Sequence, residues 1–264
     1  MLSKVLRKCR EIWRRRHYVW QRWAGARVPP HSVAWLPDGF TVRRLADTGI
    51  ALVDNFSTAE ESVAVIEAAR GRLRRSGVYV DGKFQDHDGR ISYTASLYGS
   101  GYRHPSVLPL MQRAAMLSGL PYTHIEAVYV TRYPEGGLYN EHIDFGPEYS
   151  VDRLYTVLLY LNSVPQEQGG ATVFPSLGVA AQPVAGRALM WTNKNPDGSG
   201  HSENSHTAMP VENGGEKWVI QFWVRAYPMV GSEPELPVPQ TRSGLPLEST
   251  DDLPDGISRY TANS

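Results

Sequence analysis

The chain has 264 residues, 41% of them hydrophobic and 10% aromatic, enough to bury a sizeable core in one large domain or two small ones. Lys plus Arg (27) balances Asp plus Glu (27), so net charge gives no sign of a nucleic-acid partner. The single cysteine, Cys9, excludes an internal disulfide framework and a cysteine-rich zinc site, and the longest apolar runs, such as YTVLLYL at 155–161, are too short to span a bilayer.

Residues 1–30 carry nine Lys or Arg and one acid, Glu11. Their apolar residues recur at roughly helical spacing, so a basic amphipathic helix is expected, ended by Gly25 and Pro29-Pro30. It could lie on the domain, on a membrane surface or on a partner, or be an organelle transit peptide. The absence of an apolar secretory core leaves a cytoplasmic location as the expectation, with organelle targeting as the alternative. Residues 31–228 are expected to form the main domain. Within it GIALVD (49–54) reads as a strand, followed by a helix over 58–76 with Ser57 as its cap and Glu60 completing a capping box. Residues 81–103, rich in Gly and Asp, read as a long loop or irregular hairpin, and a second helix fits 105–118, with Pro105 in its first turn.

From 124 the period changes. HIEAVYVTRY (124–133), LYTVLLYLN (154–162), ATVFP (171–175), GRALMWTN (186–193), HTAMPV (206–211) and KWVIQFWVRAY (217–227) read as short strands separated by turn residues. The fold class expected is α+β: a strand-built sandwich or barrel, with its core at about 124–227, preceded by helices. Residues 229–264, rich in Pro, Ser and acids, read as a tail without regular structure.

His142-Ile143-Asp144 is the motif that carries chemistry. On a strand, residues two apart face the same side about 7 Å apart, so an imidazole and a carboxylate there could close on one ion. His206, opening a later strand, is the best third ligand. Two histidines and a carboxylate on one octahedral face leave three positions open, as non-haem Fe(II) oxygenases require. The triplet alone is a common pattern, and Asp86-His87-Asp88 and His201-Ser202-Glu203 compete with it.

Its surroundings are more specific. Arg132-Tyr133, Gly136 or Gly137, Tyr139, His142 and Asp144, then Arg153, Thr156, Leu158, Tyr160, Leu161, Gly169, Gly170, Thr172 and Pro175, follow in order. So do His206, Pro210, Val211, Gly214, Lys217, Trp218 and Trp223, and, upstream, Arg90-Ile91-Ser92. This series resembles the prolyl 4-hydroxylase branch of the 2-oxoglutarate- and Fe(II)-dependent dioxygenases over about residues 50–226. The resemblance implies a double-stranded β-helix, a cupin-like jelly-roll barrel buttressed by the helices. It also implies Fe(II) held by His142, Asp144 and His206, and 2-oxoglutarate held by Lys217 with help from Tyr139 and Thr172. A peptide groove would be lined by Tyr133, Arg153 and Trp223. The implied reaction uses O2 and 2-oxoglutarate, with ascorbate as reductant, to hydroxylate a C–H bond of a prolyl residue, releasing succinate and CO2. Lysine rather than arginine at 217 points to this branch. A free amino acid or other small molecule as substrate, and a non-catalytic jelly-roll binding module, are the rival readings.

Overall fold

A computed structural model describes residues 37–45, 48–80, 83–97, 106–145, 152–195, 197–228, 247–250 and 253–261. The basic segment 1–30 and Pro105 lie outside these residues. No helix among them is long and apolar enough to cross a membrane.

The described residues begin with strands β1 (Thr41–Leu45) and β2 (Ala51–Asp54) and helix α1 (Ala59–Arg70). Short strands β3 (Arg74–Arg75), β4 (Val78–Val80), β5 (Lys83–Gln85), β6 (Arg90–Ile91) and β7 (Tyr93–Ser96) follow, then helix α2 (Leu108–Ser118). The remaining strands are β8 (Tyr129–Tyr133), β9 (Leu138–His142), β10 (Arg153–Tyr160), β11 (Thr172–Phe174), β12 (Val179–Ala181) and β13 (Ala188–Thr192). Strands β14 (His206–Ala208), β15 (Lys217–Arg225), β16 (Leu247–Thr250) and β17 (Ile257–Arg259) complete the described elements. They form a nine-stranded sheet ordered β16-β1-β2-β13-β10-β15-β8-β7-β3 and a six-stranded sheet ordered β17-β12-β11-β14-β9-β6. All pairings are antiparallel except β1 with β16.

The central strands are buried on both faces, which is why they read as apolar runs rather than clean alternations. On β15, Trp218, Ile220, Phe222 and Val224 join Val157 and Leu159 of β10 in one core with Val65, Ala69, Leu110, Met111 and Ala114 of the helices. On the other face Val219, Leu158 and Tyr160 pack with Phe174, Leu189 and Trp191 in a second core, enclosed between the sheets. Burying each of these large side chains contributes about 1.5–3 kcal/mol. The two helices therefore brace one sheet from outside, and the barrel interior is left to the second core. This is the double-stranded β-helix.

Several local expectations change. The cap of α1 is Thr58, whose Oγ1 accepts from the Glu61 amide at 3.2 Å while Glu61 Oε2 accepts from the Thr58 amide at 2.9 Å. Ser57 is unavailable, because its hydroxyl turns inward to Ser62 Oγ at 2.8 Å. The helix stops at Arg70, since Arg74-Arg75 pair with β7. In α2 the early proline is Pro109. The expected loop 81–103 contains three strands, and one of them, β7, enters the nine-stranded sheet beside β8. The C-terminal segment contributes β16 beside β1 and β17 beside β12, so part of it extends both sheets instead of forming an irregular tail.

Candidate active site

Strands β9 and β14 are antiparallel neighbours in the six-stranded sheet, and their register places His142 opposite His206. Their rings lie 4.3 Å apart. The expectation that His142 and Asp144 share a strand is corrected: β9 ends at His142, and Asp144 sits in the bend beyond it. The bend swings the Asp144 carboxylate between the histidines, with Oδ1 3.9 Å from His142 Nε2 and Oδ2 3.8 Å from His206 Nε2. Among the described residues these three side chains are the one group of at least three His, Cys, Asp or Glu whose ligand atoms all lie within 4.8 Å of each other. The competitors do not converge. His87 Nδ1 accepts from its own loop, the Gly89 amide at 2.9 Å, and Glu203 is exposed in a short turn.

The donor atoms suit a ferrous ion. His142 Nδ1–H donates to the Asn140 carbonyl at 2.8 Å and His206 Nδ1–H to the Asn204 carbonyl at 3.0 Å, which leaves both Nε2 lone pairs facing the centre. Burial, reinforced by neighbouring His206, pushes the His142 imidazole down to about pKa 3, so it stays neutral, the form that ligates. Burial alone would raise the Asp144 carboxyl, but His206, His142 and Arg153 hold it below its usual value. Two imidazoles offering Nε2 and one carboxylate form the facial set that leaves open positions on an octahedral ion.

The same chamber extends to Lys217. The turn before β15 carries Asn213 and Gly214 at positive φ (50° and 74°), and the Gly215 amide donates to the Glu212 carbonyl at 2.9 Å. This reversal sends Lys217 inward, where it is only 1% exposed. Its ammonium donates to the Gly170 carbonyl at 2.7 Å and to Thr172 Oγ1 at 3.3 Å, and lies 5.2 Å and 5.7 Å from the ring centres of Tyr133 and Tyr160. No carboxylate neutralises it among the described residues, and burial pushes its pKa down to about 7. Lys217, Thr172, Tyr133, Tyr139, His142 and His206 all line one pocket. A buried cation with only neutral partners is costly, and an anion entering from the metal end would complete it.

The structure divides the three residues expected in the substrate groove. Tyr133 is 3% exposed, lies opposite Lys217 in register and lines the chamber beside it. Arg153 and Trp223 stay together: the guanidinium lies 3.8 Å over the indole ring, and Tyr129 packs on the other partner of this pair with ring centres 5.7 Å apart. Arg153 is also fixed by both oxygens of Glu126 at 2.9 Å and donates to the Asp144 carbonyl at 3.2 Å. Tyr139 lines the chamber without touching Lys217. It stacks on His142 at 3.6 Å, and the Arg90 guanidinium lies 4.4 Å from the centre of its ring.

Sequence reasoning assigned no role to Tyr160, Glu126 or Gln221. Gln221 lines the chamber, and its buried Oε1 has no hydrogen-bond partner among the described residues. The signal was present: on β15 positions 217, 219, 221 and 223 share a face, so a glutamine two residues from Trp223 and four from Lys217 faces the same interior.

Comparison with known proteins agrees with this geometry. Residues 128–225 match the model of the 2OG-Fe(II) oxygenase superfamily. The chain is 37% identical over 176 residues to prolyl 4-hydroxylase subunit alpha-1 of Gallus gallus, an alignment covering 62% of this chain and 33% of that protein. It is 29% identical over 195 residues to probable prolyl 4-hydroxylase 9 of Arabidopsis thaliana, covering 65% and 66%. The chain thus spans about a third of the length of the alpha-1 subunits it matches. In three dimensions it is similar to the viral collagen prolyl hydroxylase of Paramecium Bursaria Chlorella virus-1 in its 2OG complex, with TM-score 0.55, 24% identity and coverage of 69% and 98%. A prolyl hydroxylase of Trichoplax adhaerens bound to a hypoxia inducible factor peptide fragment shares the fold at TM-score 0.53, with 21% identity and coverage of 68% and 84%. Residues 128–225 are thus similar to an oxygenase domain of this superfamily, and the chain resembles its prolyl 4-hydroxylase branch.

Proposed function

We propose that this oxygenase domain hydroxylates a C–H bond of a prolyl residue in a peptide or protein, consuming 2-oxoglutarate and O2. The observation that carries the reading is the joint geometry of one chamber, with His142, Asp144 and His206 at one end and an unneutralised, buried Lys217 at the other. When bound, Fe(II) would supply the activation of O2 coupled to decarboxylation of 2-oxoglutarate to succinate and CO2. His142 and His206 would hold it through Nε2 and Asp144 through a carboxylate oxygen.

Each other residue then has a physical task. Lys217 pairs with the far carboxylate of the diacid, relieving its own desolvation, while Thr172 and Tyr160 frame it. Phe174 and Trp191 pack against His206 and keep that side dry, with ring centres at 5.6 and 4.7 Å. Arg153, held by Glu126 and stacked on Trp223, presents a fixed cationic and aromatic surface beside Asp144. Such a surface suits a proline ring and a peptide carbonyl. The relatives named as prolyl 4-hydroxylases support the same substrate class.

The test is direct. Purified protein with Fe(II), 2-oxoglutarate, ascorbate and proline-rich peptides is expected to yield succinate and a peptide heavier by one oxygen. Metal-loaded protein that leaves 2-oxoglutarate unconsumed with every peptide and with free amino acids would overturn the oxygenase reading. Turnover with free amino acids alone would overturn the peptide reading.

A further inference from the structure

Asp144 differs from the two histidines in one respect. It lies past the end of β9, so among the described residues no strand pairing fixes the backbone that carries its carboxylate. Something else must aim it. Thr156, on β10 in the opposite sheet and 1% exposed, donates its hydroxyl hydrogen to Asp144 Oδ2 at 2.7 Å. The direction of that bond is fixed by chemistry, since an ionised carboxylate only accepts. Thr156 has one hydrogen to give, so its oxygen can only accept from Asn193 Nδ2, which lies 3.0 Å away and is itself 1% exposed. The amide orientation of Asn193 is thereby settled.

Asn193 is in turn clamped by backbone bonds. Its amide donates to the Leu154 carbonyl at 2.8 Å, and its carbonyl accepts from His201 at 3.1 Å. The adjacent carbonyl of Thr192 accepts from Asn204 Nδ2 at 2.6 Å, and the Asn204 carbonyl is the group that orients His206. The end of β13 thus touches the supports of two of the three triad residues.

We infer that Asn193 and Thr156 form a one-way hydrogen-bond relay that positions Asp144, and that Asn193 acts only through Thr156. The relay engages Oδ2 and leaves Oδ1 free to ligate, so the carboxylate occupies a single position. Both are positioning residues. The inference rests on the proposed metal site, and it adds two residues to it.

The test measures Mn(II) affinity by calorimetry without cosubstrate, so it does not depend on turnover. Thr156→Val removes the donor with little change in shape and is expected to weaken Mn(II) binding about 10–100-fold, the scale of lost outer-shell support. Thr156→Ser, which restores the hydroxyl, is expected to bind within about threefold of wild type. Asn193→Ala weakens binding in the wild-type background but adds nothing in the Thr156→Val background, because the path it uses is already cut. Wild-type affinity in Thr156→Val, or independent additive losses in the double variant, would overturn the relay while the metal site stands. Absence of Mn(II) binding by the wild-type protein, or full binding by His142→Ala, would overturn the metal site and the relay together.

Discussion

At the His142 end of the chamber the polar atoms not aimed at the centre are held by protein: Asn140 and Asn204 carbonyls take the two Nδ1 hydrogens, and Thr156 takes one Asp144 oxygen. At the Lys217 end the arrangement is unfinished. The ammonium meets a carbonyl, a hydroxyl and two aromatic faces, and among the described residues no counter-charge. The first end is preorganised and stable without its ligand. The second is held under electrostatic cost until an anion arrives. The difference predicts opposite signs for apparently similar substitutions at the two ends.

The largest effect is expected at the preorganised end. His206→Ala deletes a ligand and opens a gap beside Trp191 and Phe174, so metal binding and turnover should fall to background while circular dichroism keeps its strand signature. Retained metal binding in that variant would break the comparison at its strongest point. Lys217→Met comes next and sharpens it. Cosubstrate binding should be lost, yet the ligand-free protein should become more stable, by a few degrees in Tm, because about 1 kcal/mol moves Tm by about 2–4 °C at this size. The sign follows from linkage. With a pKa of about 7 when folded and near 10.5 when unfolded, Lys217 costs most below pH 7. Between about 7 and 10.5 the unfolded chain holds a proton that the folded chain lacks, so stability rises with pH there. A thermal scan from pH 6 to 9 should therefore show the gain from Lys217→Met shrinking as pH rises.

The same titration governs ligand binding. A diacid that pairs with Lys217 must draw a proton onto it above pH 7. Affinity for 2-oxoglutarate should be flat below pH 7 and weaken by up to about tenfold per unit above it, the limit for one linked proton. Calorimetry at pH 8 in buffers of different ionisation enthalpy should show uptake approaching one proton. No uptake would mean that the lysine is already charged in the free protein and that its end of the chamber is not unfinished.

How much of this was legible in the chain varies with the physics. The central strands were readable because double burial writes itself as apolar runs, and LYTVLLYL and KWVIQFWV became β10 and β15 within a residue or two. The polar interruptions in those runs, Thr156, Lys217 and Gln221, are the interior-facing site positions. Other features depend on tertiary contacts that local pattern does not encode. Strands β16 and β17 are three or four residues long and form only because β1 and β12 offer free edges. Ser57 and Thr58 are equivalent caps until Ser62 claims one of them. Asp144 could be paired with His142 by spacing, but its bend, and therefore its need for Thr156, comes from where the chain leaves the sheet.

The smallest predicted effect isolates one neutral partner at the unfinished end. Thr172 Oγ1 accepts from Lys217 at 3.3 Å, a long bond, and its hydroxyl also neighbours Tyr160. Thr172→Val keeps the shape and removes the oxygen. In the free protein this leaves the ammonium with one fewer acceptor, so its pKa should fall further and stability at pH 6 should drop. In the complex the incoming carboxylate supplies a far stronger acceptor to the same ammonium, so little is lost there through Lys217 itself. What remains is the hydroxyl's own hydrogen bond to the ligand, about 1 kcal/mol, or a roughly fivefold weaker 2-oxoglutarate affinity. Calorimetry on Thr172→Val at pH 6 and pH 8 checks this. A loss as large as that from Lys217→Met would show that the anion is held by a neutral network centred on Thr172, and that the charge at 217 is secondary.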